Sequence, residues 1–175
     1  GAYEAFHNYS ETDHLLKEAF VDQCVAASGA GLVWDIGCNT GQFSRIAARH
    51  ARQVLAMDLD HFAVERLYRA IREERQDNIL TLVQNVADPS PNWGWRNRER
   101  AAFADRVRPD VTLALALVHH LAIAANVPLP EVVSWLRSFG GRLVVEFVHV
   151  DDVQVQRLLA NKPAGLFDDY RRDAF

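Results

Sequence analysis

Lysine, methionine and cysteine are all scarce in this chain of 175 residues, and each scarcity excludes something. Lys17 and Lys162 are the only lysines, so positive charge is carried almost wholly by arginine. The net charge is −4, which argues against a generally basic surface that coats nucleic acid. Two cysteines, Cys24 and Cys38, provide no disulfide framework and suit a reducing cytoplasm, the expected location. No long hydrophobic run exists either. The most apolar stretch, Val111 to Pro130, is broken by His119, His120 and Asn126. Its uninterrupted part, Val111 to Val118, falls far short of the ~20 residues that span a bilayer, so it reads as a core strand. The first residues, Gly1 to His14, are polar and acidic and do not read as a signal peptide. With no initiator Met, Gly1-Ala2 reads as a tag remnant.

What the chain does have is alternation. A helical opening over Tyr3 to Ser28 would place Leu16, Ala19, Phe20, Cys24 and Ala27 on one face. From Leu32 onward, short apolar runs alternate with amphipathic stretches. The spacing predicts strands at 32–36, 53–57, 79–83, 111–118 and 143–148. It predicts helices at 41–50, from Asp60 onward, 97–107, from Pro130 onward, and 153–160. Apolar strands between helices imply an α/β fold, a doubly wound and mainly parallel sheet covered on both faces. One domain is expected over residues 1–175. It would comprise an N-terminal helical segment at 1–31, a cofactor-binding core at 32–150 and a C-terminal helical segment at 151–175.

The first strand runs into a glycine turn, Asp35-Ile36-Gly37-Cys38-Asn39-Thr40-Gly41, and then into a helix. Such a turn lets a ligand approach bare backbone near the positive end of a helix. A dinucleotide fingerprint packs three glycines closely for a pyrophosphate, but position 39 here is Asn. Asp58 ends the second strand, where a carboxylate can accept hydrogen bonds from both hydroxyls of a ribose. A ribose is therefore expected without a pyrophosphate, and a dehydrogenase is disfavoured.

Taken in order, the glycine turn, Asp58, Asp88 after the third strand and His119-His120 after the fourth resemble class I (Rossmann-like) S-adenosylmethionine-dependent methyltransferases. The resemblance covers roughly 32–150. It implies S-adenosyl-L-methionine as cofactor and S-adenosyl-L-homocysteine as product. Asp35 and the loop residues Gly37, Cys38, Asn39, Thr40 and Gly41 would pass the methionine part. Asp58 would hold the ribose with Leu59 beside it, Ala87 and Asp88 would meet the adenine edge, and the backbone from Leu117 to His119 would line the sulfonium side. Tyr3, His7 and Tyr9 are candidates to lie over the active site. The family closes its sheet with a sixth and seventh strand, which are not recognisable here, so missing C-terminal residues are expected.

His119 or His120 is a candidate general base, since a His pKa lies near working pH; the competing reading has one packing and the other lining the cofactor. No metal site is expected, because adjacent histidines on a continuing strand point to opposite faces and no third ligand is evident. Trp93-Gly94-Trp95-Arg96-Asn97-Arg98-Glu99-Arg100 reads as a helix start whose tryptophans fill the core edge. The family's Asn/Asp-Pro-Pro-Tyr signature for amide or base nitrogens is absent after the fourth strand. The acceptor is therefore expected to be the oxygen, nitrogen or carbon nucleophile of a small molecule. RNA or protein methylation, with docking through the Trp93 to Arg108 segment, is the alternative; a non-catalytic cofactor-binding module is a third. No membrane partner is expected, and the sequence leaves the oligomeric state open.

Overall fold

The computed structural model describes residues 11–175, so Tyr3, His7 and Tyr9 lie outside the described residues. Its five strands are β1 (Leu32–Ile36), β2 (Gln53–Asp58), β3 (Ile79–Val83), β4 (Val111–Ala114) and β5 (Arg142–Val145). They form one sheet in the order β3-β2-β1-β4-β5, with every pairing parallel. The chain order reverses between β1 and β4. In open α/β sheets such a switch point leaves a crevice at the strands' carboxyl ends, where ligands bind.

Both faces are covered, as the apolar strands require. Helices α1 (Glu11–Ala26), α2 (Gln42–Ala48) and α3 (His61–Glu73) bury Val21, Val25, Ile46, Ala47, Leu67 and Ile71 on one face, against Val33, Val54 and Leu113. The other face receives α4 (Phe103–Arg106), α5 (Leu129–Ser138) and α6 (Val153–Leu159). There Trp34 sits between the rings of Phe103 and Phe139, at centroid distances of 5.1 and 5.0 Å. Helix α3 starts where the sequence places it: Asp60 caps it by accepting from the N–H groups of Phe62 and Ala63. Among the described residues, no helix is long and apolar enough to cross a membrane.

Three expectations need correction. Helix α1 packs through Val21 and Val25, fully buried, while Leu16 and Phe20 are 63% and 58% exposed. Its N-terminal half docks through polar side chains, so the apolar spacing does not mark the contact face. Strand β4 ends at Ala114. Ala116 then takes a left-handed φ of 49°, and residues from His120 coil into a wide helical turn, His120–Ala124. The predicted helix at 97–107 is instead a small hairpin followed by the single turn of α4. Gly94, Arg96 and Asn97, all at positive φ, break any helix there. After α6 the chain makes turns, and no further strand follows among the described residues. Tyr170 folds back to donate its hydroxyl to the Val148 carbonyl at 2.8 Å, and Phe147 stacks on its ring at 4.8 Å. Among the described residues, β5 therefore stands at the sheet's edge.

Candidate active site

The carboxyl ends of β1, β2 and β4 bring most of the expected site residues together. Asp35 is only 2% exposed and accepts a hydrogen bond from the Ser44 hydroxyl at 2.5 Å, tying β1 to the first turn of α2. Burial lifts its carboxyl to about 6, with the Ser44 bond opposing. The loop that follows uses up its own donors. Gly37 and Cys38 both donate to the Met57 carbonyl at 2.8 and 3.0 Å, Gly41 donates to the Cys38 carbonyl at 2.8 Å, and Asn39 donates to Asp58 Oδ2 at 2.8 Å. A phosphate cradle needs several free N–H groups at this turn, and those of Gly37, Cys38, Asn39 and Gly41 are already bonded within the protein.

Each glycine has its own reason. A Cβ on Gly37, at φ 80°, would sit 3.4 Å from Leu117 Cδ1, so the bare backbone sets the width between loop and wall. At Gly41, φ is 83° and a Cβ would lie 2.3 Å from Leu67 Cδ1. The second glycine therefore serves the packing of α3 beneath the loop. Cys38 is buried; desolvation, with Asp35 and Asp58 nearby, pushes its thiol up and leaves it a poor nucleophile.

Asp58 is the hub. Its Oδ2 accepts from Asn39 and its Oδ1 from the Asp60 N–H at 2.8 Å, so one carboxylate fixes the glycine loop and the start of α3 together. Each oxygen has a further lone pair. Beside it Leu59 is 66% exposed, an apolar side chain open to a ligand. The Gln84 N–H, donating to the Asp58 carbonyl at 2.8 Å, pins the end of β3 next to this acid. Ala87 and Asp88 follow on an exposed turn held by Asn85, which accepts from Ala87 through Oδ1 at 3.0 Å.

Leu117 and His119 are buried beyond the left-handed Ala116. The two histidine rings lie 4.2 Å apart and do not point to opposite faces, because the strand does not continue through them. His119 is 3% exposed and its Nδ1 has no hydrogen-bond partner. Burial, then the neighbouring His120, lowers its pKa to about 4, so it is neutral at physiological pH. Burial lowers His120 as well, against the charge of Asp58. Asp152 and Glu146 are the carboxylates whose charge reaches His119.

Sequence reasoning missed Glu146 and Lys17. Glu146 Oε2 accepts from both the Ala116 N–H at 2.7 Å and Lys17 Nζ at 2.6 Å, so it holds the turn before the histidines and clasps α1 over it. Gln42, at the loop's end, bonds His14 and Glu18 of the same helix. No local signal marks a pair 129 residues apart.

No known family profile matches the chain. It is 38% identical over 175 residues to nodulation protein NoeA of Rhizobium meliloti (strain 1021). That match takes in 99% of this chain but only 36% of NoeA's length. Among solved structures, the N-methyltransferase NodS from Bradyrhizobium japonicum WM9 superposes with a TM-score of 0.50 at 15% identity, over 66% of this chain and 57% of that one. The chain shares the Rossmann-like α/β fold of that methyltransferase. The switch point of that fold lies where Asp58, the glycine loop and the histidine turn converge.

The chain's own groups fit an adenosyl sulfonium cofactor. Asp58 keeps acceptor capacity for a diol, Leu59 offers an apolar surface for a base, and four of the loop's N–H groups are already bonded within the protein.

Proposed function

We propose that this chain is a methyltransferase domain, using S-adenosyl-L-methionine to methylate an oxygen, nitrogen or carbon nucleophile of a small molecule. The observation that carries this reading is Asp58, a carboxylate anchored by two backbone N–H groups with its remaining lone pairs available at the switch point of a methyltransferase fold. When bound, the cofactor supplies a methyl group on a positively charged sulfur. Asp58 would hold the ribose, and Leu59, Ala87 and Asp88 the adenine side. Asp35 would hold the turn through Ser44. Gly37 to Gly41, through Cys38, Asn39 and Thr40, would flank the methionine part, with Leu117 closing the opposite wall against water.

His119 and His120 are the groups for the acceptor. A buried, neutral imidazole with an unpartnered Nδ1 accepts a hydrogen bond from an acceptor O–H or N–H and so orients its lone pair. With a pKa of about 4, His119 is a weak base, so it contributes chiefly alignment and less proton removal. The free thiols Cys24 and Cys38 accord with work in the cytoplasm. The identity to NoeA supports a place in nodulation, within a larger protein of which this chain would be one domain. Calorimetric titration with S-adenosylhomocysteine tests the reading: stoichiometric binding is expected, and absence of binding by the folded protein would refute it.

A further inference from the structure

We propose that the hairpin Trp93–Arg100 is a docking surface for single-stranded nucleic acid. The segment leaves the crossover between β3 and α4 and is closed by an antiparallel bridge, with Trp93 N–H donating to the Arg100 carbonyl at 2.9 Å and Arg100 N–H to the Trp93 carbonyl at 3.2 Å. A side-chain clamp, Asn92 Oδ1 accepting from the Ala102 N–H at 2.6 Å, fixes its base. On this frame the two largest apolar side chains face outward: Trp93 is 62% exposed and Trp95 78%. They fill no core edge. Arg96 and Asn97 both stand at φ 57°, a left-handed conformation that non-glycine residues hold only where the surroundings impose it.

The charges say what fits. Arg96, Arg98 and Arg100 follow the two rings along the hairpin, and none of the three guanidinium groups has a carboxylate or hydrogen-bond partner among the described residues. The hairpin itself, residues 93–100, holds three arginines against Glu99, a local +2 in a chain of net −4. Charge of that sign, gathered on one projection of an acidic protein, complements a polyanion. Exposed rings on the same hairpin as unpaired guanidinium groups suit bases that stack while phosphates meet the cations.

The surface is separate from the cofactor reading and is tested without cofactor. Fluorescence anisotropy of a labelled single-stranded oligouridylate, with quenching of tryptophan emission, is the measurement. Three phosphate contacts imply a log–log salt slope of about −2, so affinity should fall about twentyfold between ~50 and ~200 mM salt. Trp93→Ala and Trp95→Ala should each weaken binding about tenfold. The triple change Arg96→Ala, Arg98→Ala and Arg100→Ala should remove the salt dependence. All five side chains are exposed, so thermal unfolding of the variants should match that of the parent. Absence of binding at low salt, binding untouched by these substitutions, or salt-independent binding of a neutral maltooligosaccharide in its place would overturn the proposal.

Discussion

At the carboxyl ends of β1 and β2, polar groups satisfy one another locally or across neighbouring strands. Asp35 meets Ser44, the loop N–H groups meet Met57 and Cys38, and Asp58 joins Asn39 to Asp60. At the ends of β4 and β5, the wall depends on distant segments. Glu146 reaches across to Ala116 and to Lys17 on α1, and His119 is buried with Nδ1 unpaired. The first half is self-contained. The second is assembled by tertiary contacts and keeps a buried acceptor without a partner.

That contrast can be broken most violently at Gly41. Alanine there combines left-handed strain with overlap against Leu67 and should cost about 3 kcal/mol or more of unfolding free energy in urea titrations. Adding Leu67→Ala should relieve the overlap, so the double variant should lose less than the two single losses combined.

The buried acid and the buried imidazole should pull stability in opposite directions with pH. Asp35 titrates at about 6 when folded and near 3.8 when unfolded, so the folded state keeps its proton longer and stability falls as pH rises through that window. Asp35→Asn removes this, and its advantage over the parent should grow by about 3 kcal/mol from pH 4 to 7. His119 titrates at about 4 folded and 6.5 unfolded, so its contribution is present above 6.5 and lost as pH falls toward 4. His119→Gln should therefore gain on the parent by about 3 kcal/mol over that fall. In the parent the two slopes largely cancel.

Smaller effects sharpen the second half. Glu146→Ala strips Ala116 and Lys17 of their acceptor and should cost about 1–3 kcal/mol. Lys17→Met removes a partly exposed ion pair and the cation over the Phe43 ring, and should cost less than about 1 kcal/mol. Equal losses would mean that the clasp of α1, and not the Ala116 turn, is what Glu146 holds.

The same contrast explains what is legible in the sequence. The strands, Asp60 as a cap and the loop from Asp35 to Gly41 follow from periodicity and turn chemistry, which act over a few residues. The end of β4 does not. Leu115 to Val118 is apolar throughout and by composition alone would extend the strand, yet the chain bends at Ala116, held by a carboxylate 30 residues away. The contact face of α1 escapes periodicity for a related reason, since Lys17 finds its partner 129 residues on. The Trp93 hairpin has helix-like spacing, but its rings stay outside, and only the backbone at Gly94, Arg96 and Asn97 reveals this.

On the proposed reading, the site divides into a cofactor half centred on Asp58 and an acceptor half centred on His119. Calorimetric affinity for S-adenosylhomocysteine in Asp58→Asn and His119→Gln tests that division most directly. A loss of at least about tenfold is expected for the first, as for a charge-assisted hydrogen bond removed from a ligand, and a change within about threefold for the second. An unchanged affinity in Asp58→Asn, or a larger loss in His119→Gln, would contradict the division.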